Sequence, residues 1–244
     1  MRRCRVAFSV ALAVVATATA ASGAEPRAVI ELFTSQGCSS CPPADKLAGE
    51  LSDDPSLVVM SLAIDYWDYL GWKDTLALPG HANRQRAYAA VRGDQEVYTP
   101  QVVVNGVLRV IGNDKAALEA AVVQPHAPET LSIPITLSLS GTHLNVAIPG
   151  AGKPVTAEVW LCPISHRVQV MITRGENRGH TITYTNVVRR WMRLGDWNGT
   201  ARTFTVPKSD FVTDEAIDNV AVLLQAGEAK HPGVMLGAAM LPLH

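Results

Sequence analysis

The chain has 244 residues, 48 % of them hydrophobic and 18 % charged, with 21 basic side chains against 22 acidic ones. That length exceeds one small domain and can bury a real core without disulfide staples. The balanced charge offers no basic excess to hold nucleic acid or an anionic membrane surface, so neither is expected as a partner.

The N-terminus reads as an export signal. Arg2, Arg3 and Arg5 form a basic start, Val6 to Ala16 an apolar stretch, and Ser22-Gly23-Ala24 a small-residue cleavage site. The expectation is a signal peptide over residues 1–24 and a mature protein that is periplasmic or secreted. The apolar stretch is too short to span a hydrocarbon layer of about 30 Å, and no later segment reads as a membrane span. Cleavage leaves 18 basic residues facing 22 acidic ones. It also leaves three cysteines, Cys38, Cys41 and Cys162. So few thiols in an exported protein suggest that the close pair is used.

The first half alternates strand and helix. Val29 to Phe33 reads as a strand, followed by Cys38-Ser39-Ser40-Cys41. Pro42 to Leu51 reads as a helix, with Pro42 and Pro43 in the first turn, where a missing N–H costs little. Leu57 to Ile64 is a continuous apolar run, as in a strand covered on both faces. An aromatic stretch from Asp65 to Asp74 leads to a helix over His81 to Val91. Gln101–Val104 and Val107–Ile111 read as strands joined by the two-residue turn Asn105-Gly106. A helix over Lys115–Val123 closes the series. The order βαβαββα implies a mixed sheet with helices on its faces.

The second half changes character. Residues 125–130 read as a linker between a domain over 25–124 and another over 131–244. Short alternating or β-branched runs follow, at Leu131–Leu139, Leu144–Ile148, Thr156–Cys162, Val168–Thr173, Thr181–Leu194, Thr203–Val206, Val220–Gln225 and Val234–Leu241. Many short strands separated by turn signals point to a mostly-β, sandwich-like domain, with Trp191 and Trp197 in its core.

Two thiols three positions apart at the mouth of a helix can close and reopen a disulfide, and the helix N-terminus stabilises the attacking thiolate. A Cys-x-x-Cys can also be half of a zinc site, but that needs two further ligands. The sequence offers only Cys162 and scattered histidines, so no metal site and no cofactor is expected. Thr99-Pro100 stands directly before a strand. A trans proline there opens an edge strand; a cis one marks a tight, specified site.

Together these residues resemble the thioredoxin-like superfamily: the strand, Cys38-x-x-Cys41 and helix start, then Thr99-Pro100 before the third strand, the hairpin, and the Gly112-Asn113-Asp114 helix start. The wording from Thr99 to Gly106 is nearest to glutaredoxins. Taken whole, the chain resembles an exported bacterial thioredoxin-like family of unknown function, in which a Cys motif, an Asp-Tyr-Trp segment and a trailing β region occur together. The resemblance covers Ala28 to Gln124. It implies a thioredoxin-like α/β domain followed by the β domain. It further implies a cis Pro100 packed on the cysteine pair, and a Thr99 backbone that pairs with an extended substrate. Cys38 is then the attacking, exposed thiol and Cys41 the resolving one.

Ser39 and Ser40 are small and can hydrogen-bond sulfur or the first helical N–H groups, completing the substrate rim. Glu31 reads either as a proton relay for Cys41, at a place similar to the acidic residue of thioredoxins, or as a solvated side chain. Tyr66 and Trp67, with Tyr69 and Trp72, read as a wall for a peptide or as packing. Arg174 to His180 reads as a solvated connection or a recognition loop, and Cys162 as a buried free thiol.

The function expected is an exported thiol–disulfide oxidoreductase acting on protein or peptide thiols, recycled by a redox partner. A glutathione-linked variant is less favoured by export. The alternative is a non-catalytic envelope binding module whose cysteine pair is a structural disulfide or holds a metal.

Overall fold

Strand β1 (Ala28–Thr34) is buried along its whole length and organises the first half. It pairs in parallel with β2 (Leu57–Ala63) and antiparallel with β3 (Gln101–Val104), which pairs antiparallel with β4 (Leu108–Ile111). Successive β1 side chains alternate between faces, as a strand requires. Ile30 and Leu32 meet helix α1 (Pro42–Ser52) and helix α3 (Lys115–Val123) through Ala44, Leu47, Ala48 and Leu118. Val29 and Phe33 meet helix α2 (Pro79–Arg92) through Ala82 and Tyr88. The order is the expected βαβαββα. Asn105 and Gly106 both take positive φ, 52° and 75°, as the two-residue turn requires. The computed structural model describes residues 25–214 and 216–243, so the export signal read over 1–24 lies outside the described residues.

The second half comprises β5 (Thr136–Ser140), β6 (His143–Ile148), β7 (Ala157–Met171), β8 (Thr181–Val188), β9 (Met192–Trp197), β10 (Arg202–Pro207), the short helix α4 (Lys208–Phe211), β11 (Asn219–Glu228) and β12 (His231–Pro242). Its strands form two layers around a core of their own, sandwich-like as expected, but the larger layer does not end within this half. Strand β8 joins β2 in parallel, with Ser61 opposite Val187 and the Ser61 hydroxyl donating to the Thr185 carbonyl at 2.7 Å. One nine-stranded sheet results, in the order β12-β11-β7-β8-β2-β1-β3-β4, with β9 also paired to β7. Strands from both sides of residues 125–130 therefore share it. An edge strand such as β2 must be paired or covered, but the alternation that reveals a strand does not say which edge it meets. A separate three-stranded sheet, β10-β6-β5, packs on β7 and β11 through Leu137, Leu144, Val146, Val159, Leu161, Val222 and Trp197.

Two expected strands, over 156–162 and 168–173, are one, and the run over 181–194 is two. Strand β7 continues through Pro163 because of its partners. Ala157 to Leu161 pair with β9, and the pairing with β8 starts at Ile164. The Pro163 carbonyl accepts from Arg189, in the connection between β8 and β9, so its missing N–H faces the seam between those strands. At the other end, Leu131 to Ile135 is not part of β5; Leu131 and Ile133 instead donate to Met235 and Leu236 of β12. Pro134 in that stretch has no N–H for a ladder.

The large sheet curls. The Met235 N–H of edge strand β12 bonds the Asn105 carbonyl in the β3–β4 turn at 3.0 Å. A Cβ on Gly106 would stand 2.5 Å from the Gly233 carbonyl oxygen. Inside the curl lies a buried polar cluster. Glu31 accepts from Arg84 Nε at 2.6 Å and from the Tyr88 hydroxyl at 2.6 Å, and Arg84 Nη2 also reaches Gln225 at 2.8 Å. Trp197 is core between the sheets, as expected, but Trp191 lies on the other face, with the Arg84 guanidinium 4.2 Å over its ring. Among the described residues no helix is long and apolar enough to cross a membrane.

Candidate functional site

Beyond the C-terminal end of β1, Ser35-Gln36-Gly37-Cys38 is buried and turns into α1. Gly37 is needed there: a Cβ would meet Trp67 Cβ at 3.1 Å and the Trp67 carbonyl oxygen at 3.2 Å. Cys41 stands at the N-cap, and its carbonyl accepts the first helical N–H groups, from Ala44 at 2.8 Å and Asp45 at 3.1 Å. Pro42 and Pro43 start the helix without giving up a ladder bond. Cys38 and Cys41 form a disulfide with a Cα separation of 5.4 Å.

Ser39 and Ser40 are exposed at the rim. The Ser40 hydroxyl lies 3.4 Å from Cys38 Sγ and donates to the Thr99 carbonyl at 3.5 Å. The Thr99–Pro100 peptide is cis. Pro100 is buried, and Gly112 makes room for it: a Cβ there would fall 3.0 Å from the Pro100 and Leu32 side chains and 3.3 Å from Ala44. Cys38, Ser39, Ser40, Cys41, Thr99 and Pro100 are therefore gathered, though 59 positions of chain separate Ser40 from Thr99. The Trp67 indole N–H donates to Thr99 Oγ1 at 2.7 Å, and the Tyr66 hydroxyl donates to Gln85 at 3.1 Å. Tyr69 is 75 % exposed, its ring 6.0 Å from that of Trp67.

Cys38 is the more exposed cysteine, as expected, but only at 5 %, with Cys41 at 0 %. An element of the second half also holds this loop. Asn177, itself 4 % exposed, donates its amide to the carbonyls of Gln36 and Cys38, both at 2.9 Å. Trp72 donates to Gln36 Oε1 at 2.8 Å, and a Cβ on Gly175 would meet Trp72 Cβ at 3.2 Å. The connection over 174–180 is the largely exposed hairpin expected between β7 and β8, but its one buried side chain, Asn177, clamps the cysteine loop. No signal in the sequence marks Asn177; one asparagine in a polar, glycine-bearing loop looks like any other.

Glu31 does not lie under the pair on the α1 side. It shares a face of β1 with Val29 and Phe33, and its carboxylate is engaged by Arg84 and Tyr88. The buried acid one helical turn beyond Cys41 is Asp45. Thr34 Oγ1 donates to its Oδ1 at 2.7 Å, while Oδ2 has no partner among the described residues. Burial pushes its carboxyl up to about 8; Asp74 adds to the rise, and the Thr34 hydroxyl opposes it. A group in this state holds a proton at neutral pH. Cys162 is buried and its thiol is pushed well up by that burial, which keeps it inert. Among the described residues no three His, Cys, Asp or Glu side chains group as a metal site.

The family described as "Protein of unknown function (DUF1223)" matches residues 29–225. The chain belongs to that family. Its matched span covers both the disulfide loop and the Asn177 clamp. The chain is similar to the crystal structure of protein AGR_C_4864 from Agrobacterium tumefaciens, with a TM-score of 0.80 and 30 % identity over 91 % of this chain and 96 % of that one. It is also similar to HBP35 of Porphyromonas gingivalis, with a TM-score of 0.53 and 11 % identity over 90 % of this chain and 76 % of that one, a likeness of fold alone. The comparison with curated proteins gave no match.

Proposed function

We propose that this chain is an exported thiol–disulfide oxidoreductase acting on protein or peptide thiols, with Cys38 and Cys41 as the reacting pair and residues 28–123 as a thioredoxin-like unit. The observation that carries this reading is the apposition of the Cys38–Cys41 disulfide at the α1 N-terminus with the Thr99–Pro100 peptide, bridged by the Ser40 hydroxyl.

In the dithiol form, the Cys38 thiolate attacks a client disulfide. A Cys38–client disulfide forms and one client thiolate leaves. Cys41, deprotonated, then attacks Cys38 Sγ, re-forming the Cys38–Cys41 bond and releasing the second client thiol. The client gains two electrons and the protein loses two. Run in reverse, the same steps oxidise a client dithiol. The helix terminus favours the Cys38 thiolate; Ser39 and Ser40 add no positive charge. Thr99 offers its backbone to an extended client, and Trp67 with Tyr66 walls one side. A redox partner resets the pair, and the direction follows from the potentials of the two couples.

A second reading has an observation of its own. The burial of Cys38 and the hold of Asn177 on its carbonyl suit a structural disulfide in a non-catalytic envelope binding module.

Trapping separates the two. A Cys41→Ser variant, expressed with its own leader, is expected to accumulate mixed disulfides at Cys38 that disappear on reduction and are absent from a Cys38→Ser/Cys41→Ser control. Wild-type protein whose disulfide resists millimolar dithiothreitol until it unfolds, together with no adducts, would establish the structural disulfide instead.

A further inference from the structure

A groove of about 630 Å³ lies beside α2 and the turn between β11 and β12, and none of its lining residues belongs to the disulfide rim. Its lining includes Trp160, Trp191 and Ala87 together with Arg84, Arg86 and Lys230, and no carboxylate. The two indoles stand edge to face, with centroids 6.0 Å apart and planes at 75°. That gives the groove two aromatic surfaces of fixed orientation.

The charge in the groove is one-signed and partly unspent. Arg86 donates to Asn83 at 3.2 Å, and neither Arg86 nor Lys230 makes a salt bridge among the described residues. Arg84 is only 8 % exposed. Its Nε and Nη2 are taken by Glu31, Tyr88 and Gln225, which lock the guanidinium over Trp191. Its Nη1 has no partner among those hydrogen bonds, nor is it among the buried atoms shut off without one. Arg84 thus lines the groove as a nearly buried, rigidly held guanidinium whose Nη1 makes none of those hydrogen bonds.

We propose that this groove binds a small organic anion with a flat aromatic body. The ring packs against Trp160 and Trp191, where apolar and stacking contacts favour it. The anionic group meets Arg84 Nη1 and the Arg86 and Lys230 side chains, a charge-assisted arrangement that a neutral analogue cannot use. The site is independent of the thiol chemistry, since neither cysteine nor Thr99 takes part.

Calorimetric titration of the folded, disulfide-intact protein tests this with naphthoate and its neutral counterpart naphthamide. Naphthoate is expected to saturate one site, with naphthamide about tenfold weaker or worse. Lys230→Glu sits in an exposed turn, so folding should persist, as checked by circular dichroism. It is expected to weaken naphthoate about tenfold while leaving naphthamide unchanged. Ala87→Trp, which fills the groove, is expected to abolish both. Equal affinity for acid and amide, indifference of naphthoate to Lys230→Glu, or absence of saturable naphthoate binding would overturn the proposal.

Discussion

The side-chain amide of Asn177 donates to the backbone carbonyl of Cys38 at 2.9 Å, across 139 positions of chain, and to that of Gln36 at the same distance. The β-rich second half therefore holds the disulfide loop of the first. That loop is tied down by an element that no local reading of the Cys-x-x-Cys sequence includes.

Removing that hold tests its weight. Asn177→Ala leaves the Gln36 carbonyl without a donor, at a cost of about 1–3 kcal/mol, while the Cys38 carbonyl keeps the Cys41 N–H at 3.2 Å. Denaturant unfolding is expected to report a loss of about 1–3 kcal/mol. The Cys38–Cys41 disulfide should also be reduced by dithiothreitol at least severalfold faster, read from the appearance of free thiols under native conditions. An unchanged reduction rate would mean that Asn177 does not limit access.

Glu31 and Arg84 form a buried, hydrogen-bonded ion pair. Breaking one side of such a pair strands the other charge and costs about 3–5 kcal/mol. Glu31→Gln is therefore expected to lower stability by that amount, measured by chemical denaturation. The double variant Glu31→Gln/Arg84→Met, which removes both charges, should recover part of it. A Glu31→Gln protein of unchanged stability but slowed thiol exchange would restore Glu31 as a proton relay.

Asp45 gives stability a pH dependence with a defined sign. Its carboxyl is pushed up to about 8 in the folded protein from 3.8. The folded state therefore holds more protons than the unfolded one between those values, and stability falls as pH rises through the window. Buried Asp74, also shifted upward by burial, acts in the same direction. His81, lowered to about 4 from 6.5 by burial, acts oppositely and only below 6.5. The two slopes offset each other in acid. Above pH 6.5 the Asp45 slope remains, and the free energy of unfolding is expected to drop by about 2 kcal/mol up to pH 8. Asp45→Asn should flatten that drop, as followed by denaturant titrations at fixed pH steps.

Gly106 closes the curl of the sheet. With φ at 75° and the Gly233 carbonyl oxygen 2.5 Å from where a Cβ would stand, alanine is both strained and crowded. The left-handed conformation costs about 1–2 kcal/mol for an L-residue, and overpacking about 1–3 kcal/mol more. Gly106→Ala is expected to lower the midpoint of thermal unfolding by several degrees. Gly141→Ala, at φ 56° in open space, should cost only the first part.

Local chemistry made much of this protein readable from its sequence. The strand, the cysteine pair and the proline-started helix follow from short-range rules, as does the Asn105-Gly106 turn, because steric demand and missing N–H groups act within a few residues. Tertiary structure decided what those elements meet. Strand β8 closes on β2, so the two halves share a sheet, and alternation along a strand carries no record of its neighbour. Glu31 turned toward α2 rather than α1 because the face a strand residue takes depends on the whole register. Asn177 reached Cys38 only once that shared sheet had brought residues 174–180 over the loop. A side chain that caps a distant carbonyl looks, along the chain, like one that caps water.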